Sequence, residues 1–531
     1  MRLKVFSPAF LCLLFSHTVA AQASVNMRTE AETVLDSFYG VAIADPYRFL
    51  ENLHSQRVEE WVNDQNSATQ KQLKKLKGRN AAFEEIKQYS YTRFNRPHRE
   101  GPYYFKRIST DARSTPGLYY QESINGQPIL LVNPSSISRK DNIRIGSYQL
   151  SKDAKYLAYQ FNRDGSDWAE IKVVRMNGSH TKDHLKKIKF SNISWQGEGF
   201  YYSTFNVKDS LQTLKNEEVY HHTLGAPQET DERVFSRPQR PSANIRVQVT
   251  SDERFLILRE GLNYFIRDVM KPKAGLQPFL QEEKRPMTIL DSHAGRLYAL
   301  TTSDGNQKVL VTIDPVDPPK REKFVPEVDG MIILDAVVLE KYVAVVYQGT
   351  TSQRIVFFTH EGIIGHIVSL PAHCALGELE VNTYDQELIY HHQSYLVPPV
   401  VFNLNLETFE EKPLQKTVIA FNIKDFETKD VEYPSKDGTL VYMTILYKKG
   451  LSLNGENPTL LKAYGGFGKV EKPSFEPGLV YFLQKGGVFA FAQIRGGGEK
   501  GEHWHRIGQG QHKHIYHNRG KRRPGTALSF L

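Results

Sequence analysis

Between about residues 95 and 425 the chain repeats one short phrase. A polar turn leads into an aromatic or β-branched strand, then a second turn, then another strand. Ser151-Lys152-Asp153 precedes Tyr156–Phe161, and Asp164-Gly165-Ser166-Asp167-Trp168 precedes Ile171–Val174. Trp195 precedes Gly199–Ser203, and Ser251-Asp252 precedes Phe255–Leu258. Leu297–Leu300, Val309–Thr312, Tyr342–Val346, Ile355–Phe358, Leu388–Tyr390 and Val400–Phe402 continue the series. Copies recur every ~40–50 residues, the period of propeller blades. A single β-sandwich of this length is unusual. The pattern therefore predicts a β-propeller of roughly six to eight blades over residues 81–425. The 29 Phe and 27 Tyr suit pleated, half-buried surfaces.

The flanks read differently. Residues 24–80 are expected to form an N-terminal helical segment, because Val58, Trp61 and Val62 have helical spacing after the Asp45-Pro46 turn. Past residue 426, Val441–Tyr447 and Thr459–Tyr464 read as strands. Gly487–Ala492 is a near-continuous apolar run, as in a strand buried on both faces. Residues 426–510 are thus expected to be the first part of an α/β domain.

At the N-terminus, Arg2 and Lys4 precede the short apolar core Ala9–Phe15, with Ala21-Gln22-Ala23 as a small-residue cleavage site. Residues 1–23 are expected to be a signal peptide, cleaved near Ala23, which predicts a periplasmic or secreted protein. The core is too short for a bilayer span, which needs about 20 residues. Of the two cysteines, Cys12 lies in that segment, so Cys374 is expected to be a small buried hydrophobe. The net charge is +9. Arg2 and Lys4 carry two of these charges, and Lys513, Arg519, Lys521, Arg522 and Arg523 carry five. Removing them leaves +2 for the body. A near-neutral body gives no reason to expect nucleic acid, and no membrane association is expected after cleavage.

Two glycine-rich segments carry the chemistry. Tyr464 ends a strand and is followed by Gly465-Gly466-Phe467-Gly468, which lets the backbone turn sharply and approach a ligand. A tyrosine hydroxyl placed there can donate to a developing oxyanion. The local alternative is a packed tyrosine before a turn. Arg495-Gly496-Gly497-Gly498-Glu499 follows the next apolar strand, and three glycines imply a special backbone path. No Gly-Lys-Ser/Thr follows, so a phosphate loop is a weak rival. His503, His505, His512, His514 and His517 match no common zinc spacing, and no metal is expected.

Together the segments resemble the prolyl oligopeptidase family of serine peptidases, in its proline-specific branch. The resemblance is carried in order by Asp45–Glu51, Gly165–Trp168, Tyr433-Pro434-Ser435-Lys436-Asp437-Gly438-Thr439, Tyr464–Phe467 and Gln493–His505. It implies a seven-bladed β-propeller capping an α/β-hydrolase domain, with the N-terminal segment packed on the hydrolase part. It also implies a monomer without cofactor that cleaves short proline-containing peptides. Tyr464 would be the oxyanion-hole donor, Phe467 would line the proline pocket, and Phe190 would reach that pocket from the propeller.

One departure is large. No Gly-x-Ser-x-Gly occurs in the 531 residues, and the family's serine, aspartate and histidine positions have no counterpart. Residues 511–531 form an off-pattern basic tail without acids, as after a frameshift near residue 510 or a sequence error at that point. The chain as given is expected to be inactive. The alternative is a non-catalytic propeller that binds peptides.

Overall fold

A computed structural model describes residues 33–510 apart from 53–54, 91–97, 110–114, 206–214, 242–244, 272–274, 284, 286, 304–306, 327, 378, 383–386 and 415–417. The expected signal peptide and the basic tail with His512, His514 and His517 lie outside the described residues. The chain divides into two compact units, Met1–Glu85 and Ile86–Leu531.

In the first unit the expected helix is preceded by strands that the sequence did not announce. The unit opens with an antiparallel hairpin, Val34–Phe38 against Val41–Asp45. Tyr39 and Gly40 both have positive φ (50° and 81°) and form the two-residue turn that suits strand twist. Arg48 ties the short helical turn Arg48–Glu51 to the hairpin, since its Nε donates to Asp45 at 2.9 Å and its Nη2 pairs with Asp36. The long helix begins only at Gln56 and runs to Lys75, with the Ser55 side chain accepting from the Val58 amide as N-cap.

In the second unit, seven successive antiparallel sheets occur among the described residues. The first comprises His98–Glu100, Tyr103–Ile108, Gly117–Gln121 and Ile129–Val132. The next five span 143–188, 194–241, 246–280, 288–323 and 332–369, each a four-stranded meander. The seventh spans 375–413, where Ala375–Leu376 and Glu380–Asn382 pair in turn with the strand Glu387–Gln393.

Each sheet buries both faces against its neighbours. Phe105 and Leu118 of the first pack with Leu157 and Phe161 of the second. Ile171 and Leu185 of the second pack with Trp195 and Phe200 of the third. The same holds between each later pair. Tyr104 of the first sheet then shares a small core with Ile389 and Val401 of the seventh, so the series closes on itself. This is the expected β-propeller, and radial closure leaves only short sheet edges. Cys374 is buried between the sixth and seventh sheets, as expected.

After the ring comes a four-stranded mixed sheet, in the order Phe426–Pro434, Leu440–Lys448, Val488–Ala492, Thr459–Ala463. Val488–Ala492 runs parallel to Thr459–Ala463, and the helix Pro477–Gln484 makes the crossover between them. All five residues of Val488–Ala492 are buried, as their apolar run implied. This is the start of an α/β-hydrolase sheet. It is joined to the propeller by Tyr395 against Phe489 (5.1 Å between ring centroids), by Lys472 Nζ donating to the Leu376 carbonyl at 2.9 Å, and by the pair His373–Asp430 at 3.2 Å.

Candidate active site

Tyr464 follows directly on Thr459–Ala463, so its position is set by a strand in register with Val488–Ala492. The ring is half-exposed, with the Lys469 ammonium 5.3 Å from its centroid. The backbone then turns through Gly465 (φ +58°), Phe467 (φ +56°) and Gly468 (φ +63°).

The second glycine loop explains the first. A Cβ on Gly496 (φ +95°) would lie 2.3 Å from the Gly465 carbonyl, and one on Gly498 would lie 2.2 Å from the Gly468 carbonyl. A Cβ on Gly465 would meet Ile494 Cγ1 at 2.5 Å and the Arg495 carbonyl at 2.7 Å. The two loops pack backbone against backbone. The Gly468 amide donates to Gly496 O at 3.0 Å, and the Gly498 amide donates to Lys469 O at 3.1 Å. Glycine is required here because no side chain fits between the two main chains. The sheet thus delivers Tyr464 on a loop that a second loop holds.

Arg495 anchors that second loop. It is buried, and its guanidinium donates to Asp437 Oδ1 at 3.2 Å, Ser435 Oγ at 3.0 Å and Thr439 Oγ1 at 3.3 Å. The Arg495 guanidinium holds the Asp437 carboxyl down to about 2, so that carboxylate is ionised at neutral pH. The 435–439 segment is the turn between Phe426–Pro434 and Leu440–Lys448, so one arginine links three strands. From the sequence alone, Ser435, Asp437 and Thr439 carry no assigned role. Their spacing in one turn is visible there, but the distant partner is not.

Glu499 faces inward. Its Oε1 accepts from the Glu471 amide at 3.2 Å, and its buried Oε2 has no partner among the described residues. Burial raises its pKa. Trp504 is buried and donates from Nε1 to the Gln493 carbonyl at 3.3 Å.

The other two expected site residues are exposed. Phe467 is 90% exposed. Phe190 lies after the strand His180–Ile188 of the second sheet and is 46% exposed. Among the described residues no ring contact joins Phe190, Phe467 and Tyr464. No group of three or more His, Cys, Asp or Glu side chains suited to a metal ion occurs among them either.

A closed ring of antiparallel sheets, followed by hydrolase strands that carry a tyrosine on interlocked glycine loops, defines a propeller-capped serine-peptidase architecture. A family model described as the prolyl oligopeptidase N-terminal β-propeller domain matches residues 27–417. The chain belongs to the prolyl oligopeptidase family. It is 28% identical to the prolyl endopeptidase of Elizabethkingia meningoseptica over 98% of this chain and 75% of that protein. It is 27% identical to the prolyl endopeptidase of Elizabethkingia miricola, over 97% and 74%. A solved structure from a study of two prolyl endopeptidases superposes with a TM-score of 0.80 at 26% identity, covering 92% of this chain and 74% of that one. The chain thus spans about three-quarters of the length of these relatives.

Proposed function

We propose that these 531 residues form the peptide-binding part of a proline-specific peptidase architecture and do not by themselves hydrolyse peptides. In this reading Tyr464 is the oxyanion donor, Phe467 lines the proline pocket, and Phe190 reaches that pocket from the propeller. The observation that carries it is the interlock of the two glycine loops, which holds the Tyr464 loop in one place. Acyl transfer also needs a nucleophile beside an oriented base, and no Gly-x-Ser-x-Gly is present among the residues. An oxyanion donor alone stabilises charge but forms no acyl-enzyme. The ligands are short proline-containing peptides, bound by a monomeric chain. The charged and apolar pattern of residues 1–23 supports export to the periplasm or beyond.

The test uses the purified chain and an N-blocked Gly-Pro aminocoumarin amide. No fluorophore release and no labelling by a fluorophosphonate is the expected result, together with measurable binding of an N-blocked Ala-Gly-Pro amide by calorimetry. Fluorophosphonate-sensitive turnover overturns the inactive reading. Absence of binding overturns the peptide-binding one.

A further inference from the structure

Phe190 presents half of an aromatic ring to solvent from a backbone position that L-residues seldom adopt, with φ +55°. Three residues earlier, Lys187 is also left-handed at φ +60°, where the strand pairing slips between Leu185 and Ile188. Such strain persists only where the surroundings over-determine it, and it gathers at functional positions. The surroundings here are specific. Thr204 Oγ1 donates to the Lys187 carbonyl at 2.7 Å, and Gln160 Nε2 donates to the Ser191 carbonyl at 3.0 Å. The Asn192 side chain bonds the Val247 main chain through both its amide nitrogen, at 2.5 Å, and its oxygen, at 3.2 Å. The chain is therefore pinned before and after Phe190, on the second, third and fourth sheets.

What these bonds leave unset is the ring itself. Lys189 stands between two aromatic faces. Its ammonium lies 5.2 Å from the Phe190 ring centroid and 5.3 Å from that of Trp168. Its side chain is only 15% exposed, although it sits in a surface loop, and its charge partner Asp167 is 3.7 Å away and 71% exposed. Trp168 is braced edge-on by Phe205 at 6.2 Å. A cation held over an aromatic face and shielded from water attracts it more strongly than one in solvent.

We infer that Lys189 is the positioning residue of Phe190. Clamped between Trp168 and Phe190 and tethered by Asp167, it fixes the exposed Phe190 ring as a preformed aromatic face for a bound peptide. The inference rests on the peptide-binding reading above for its ligand, but not for the clamp. A ring held in place before binding spares the ordering cost at binding.

Two readouts on the full chain separate clamp from ligand. The first is limited chymotrypsin digestion with mass-spectrometric mapping of the cut after Phe190. Lys189→Met is expected to speed that cut about fivefold, while Lys189→Arg, which keeps a cation over the rings, stays within about twofold of the wild type. Thermal midpoints of both variants are expected to match the wild type. The second is calorimetric affinity for an N-blocked Ala-Gly-Pro amide, which Lys189→Met is expected to weaken about fivefold and Lys189→Arg to retain. Unchanged cutting in Lys189→Met overturns the clamp. Faster cutting with unchanged affinity overturns its role in recognition. A wild type that binds no peptide overturns the ligand assignment, while the digestion still decides the clamp.

Discussion

Arg99 and Glu387 pair at 3.2 Å across 288 residues of chain, joining the first sheet of the propeller to the seventh. Arg99 is mostly buried (9% exposed), and its guanidinium also lies 4.6 Å over the Tyr104 ring, which belongs to the small core shared by these two sheets. The ring is closed by side chains here, since no strand pairs across this junction among the described residues.

Removing the carboxylate at that junction leaves a buried cation with a weaker set of partners. Glu387→Ala is expected to cost about 1–3 kcal/mol. Urea denaturation of the propeller checks it, and a midpoint equal to that of the wild type refutes it.

The interface between the second and third sheets should carry a pH signature. His222 Nε2 faces Asp183 Oδ1 at 2.9 Å and its Nδ1 faces Asp231 Oδ1 at 2.8 Å, with all three side chains buried. The Tyr202 hydroxyl donates to the other Asp231 oxygen at 2.8 Å, and the Gly225 amide donates to Asp183 at 2.6 Å. Burial opposes a charge on His222, but the two carboxylates outweigh it and raise the imidazole from 6.5 to about 9. Its contribution is therefore complete below about pH 6.5 and is lost as the pH rises through about 9. On the acid side, burial raises Asp183 but its hydrogen bonds outweigh that and lower it from 3.8 to about 2. That contribution is present above pH 3.8 and is lost as the pH falls through about 2. His222→Gln is expected to cost about 3 kcal/mol at neutral pH and to flatten the decline between pH 6.5 and 9. Thermal midpoints measured across pH for both chains test this.

Gly496→Ala drives a Cβ to 2.3 Å from the Gly465 carbonyl at a left-handed position. It is expected to cost more than about 2 kcal/mol in the hydrolase segment. Gly478→Ala, in the helix Pro477–Gln484 with nothing within 4 Å of the added carbon, is expected to be neutral or to stabilise by up to about 1 kcal/mol. Hydrogen exchange in 459–492 reads both variants, and equal protection in the two refutes the interlock.

Burial pushes the Cys374 thiol up to about 11. A maleimide is expected to label it at neutral pH only after denaturation, because the thiolate is the reactive form. Fast labelling of the native chain contradicts its placement between the sixth and seventh sheets.

The strand Thr459–Ala463 lies at the edge of its sheet, with Leu460 and Leu461 each 51% exposed. Exposed apolar edges promote aggregation. A chain of residues 81–425 is expected to remain in solution at concentrations where the 531-residue chain forms aggregates. Light scattering of the two decides it, and equal scattering counts against the edge as the cause.

Much of this protein is legible in its sequence because burial leaves periodic marks. Strands that alternate with turns every few tens of residues, and an apolar run such as Val488–Ala492, mark ring and sheet in the residues themselves. The hairpin Val34–Asp45 is not legible, because its strands are exposed on both faces and no burial period marks them. Tyr464 and the glycine runs are legible as a special backbone path. That the two runs hold each other is not, since a glycine records only the lack of a side chain and not the carbonyl it makes room for.

The repeat, the aromatic strands, the glycine positions and the absence of a Gly-x-Ser-x-Gly can all be read from the order of the residues. Which distant residues meet is set by packing alone: Arg99 with Glu387, Arg495 with Asp437, His222 with two aspartates, Lys189 with Trp168. The difference is one of range. Periodicity and turn chemistry act between neighbours a few residues apart and are written locally. A buried charge finds its partner only when closing the ring, or folding one loop against another, brings distant segments together and excludes water between them.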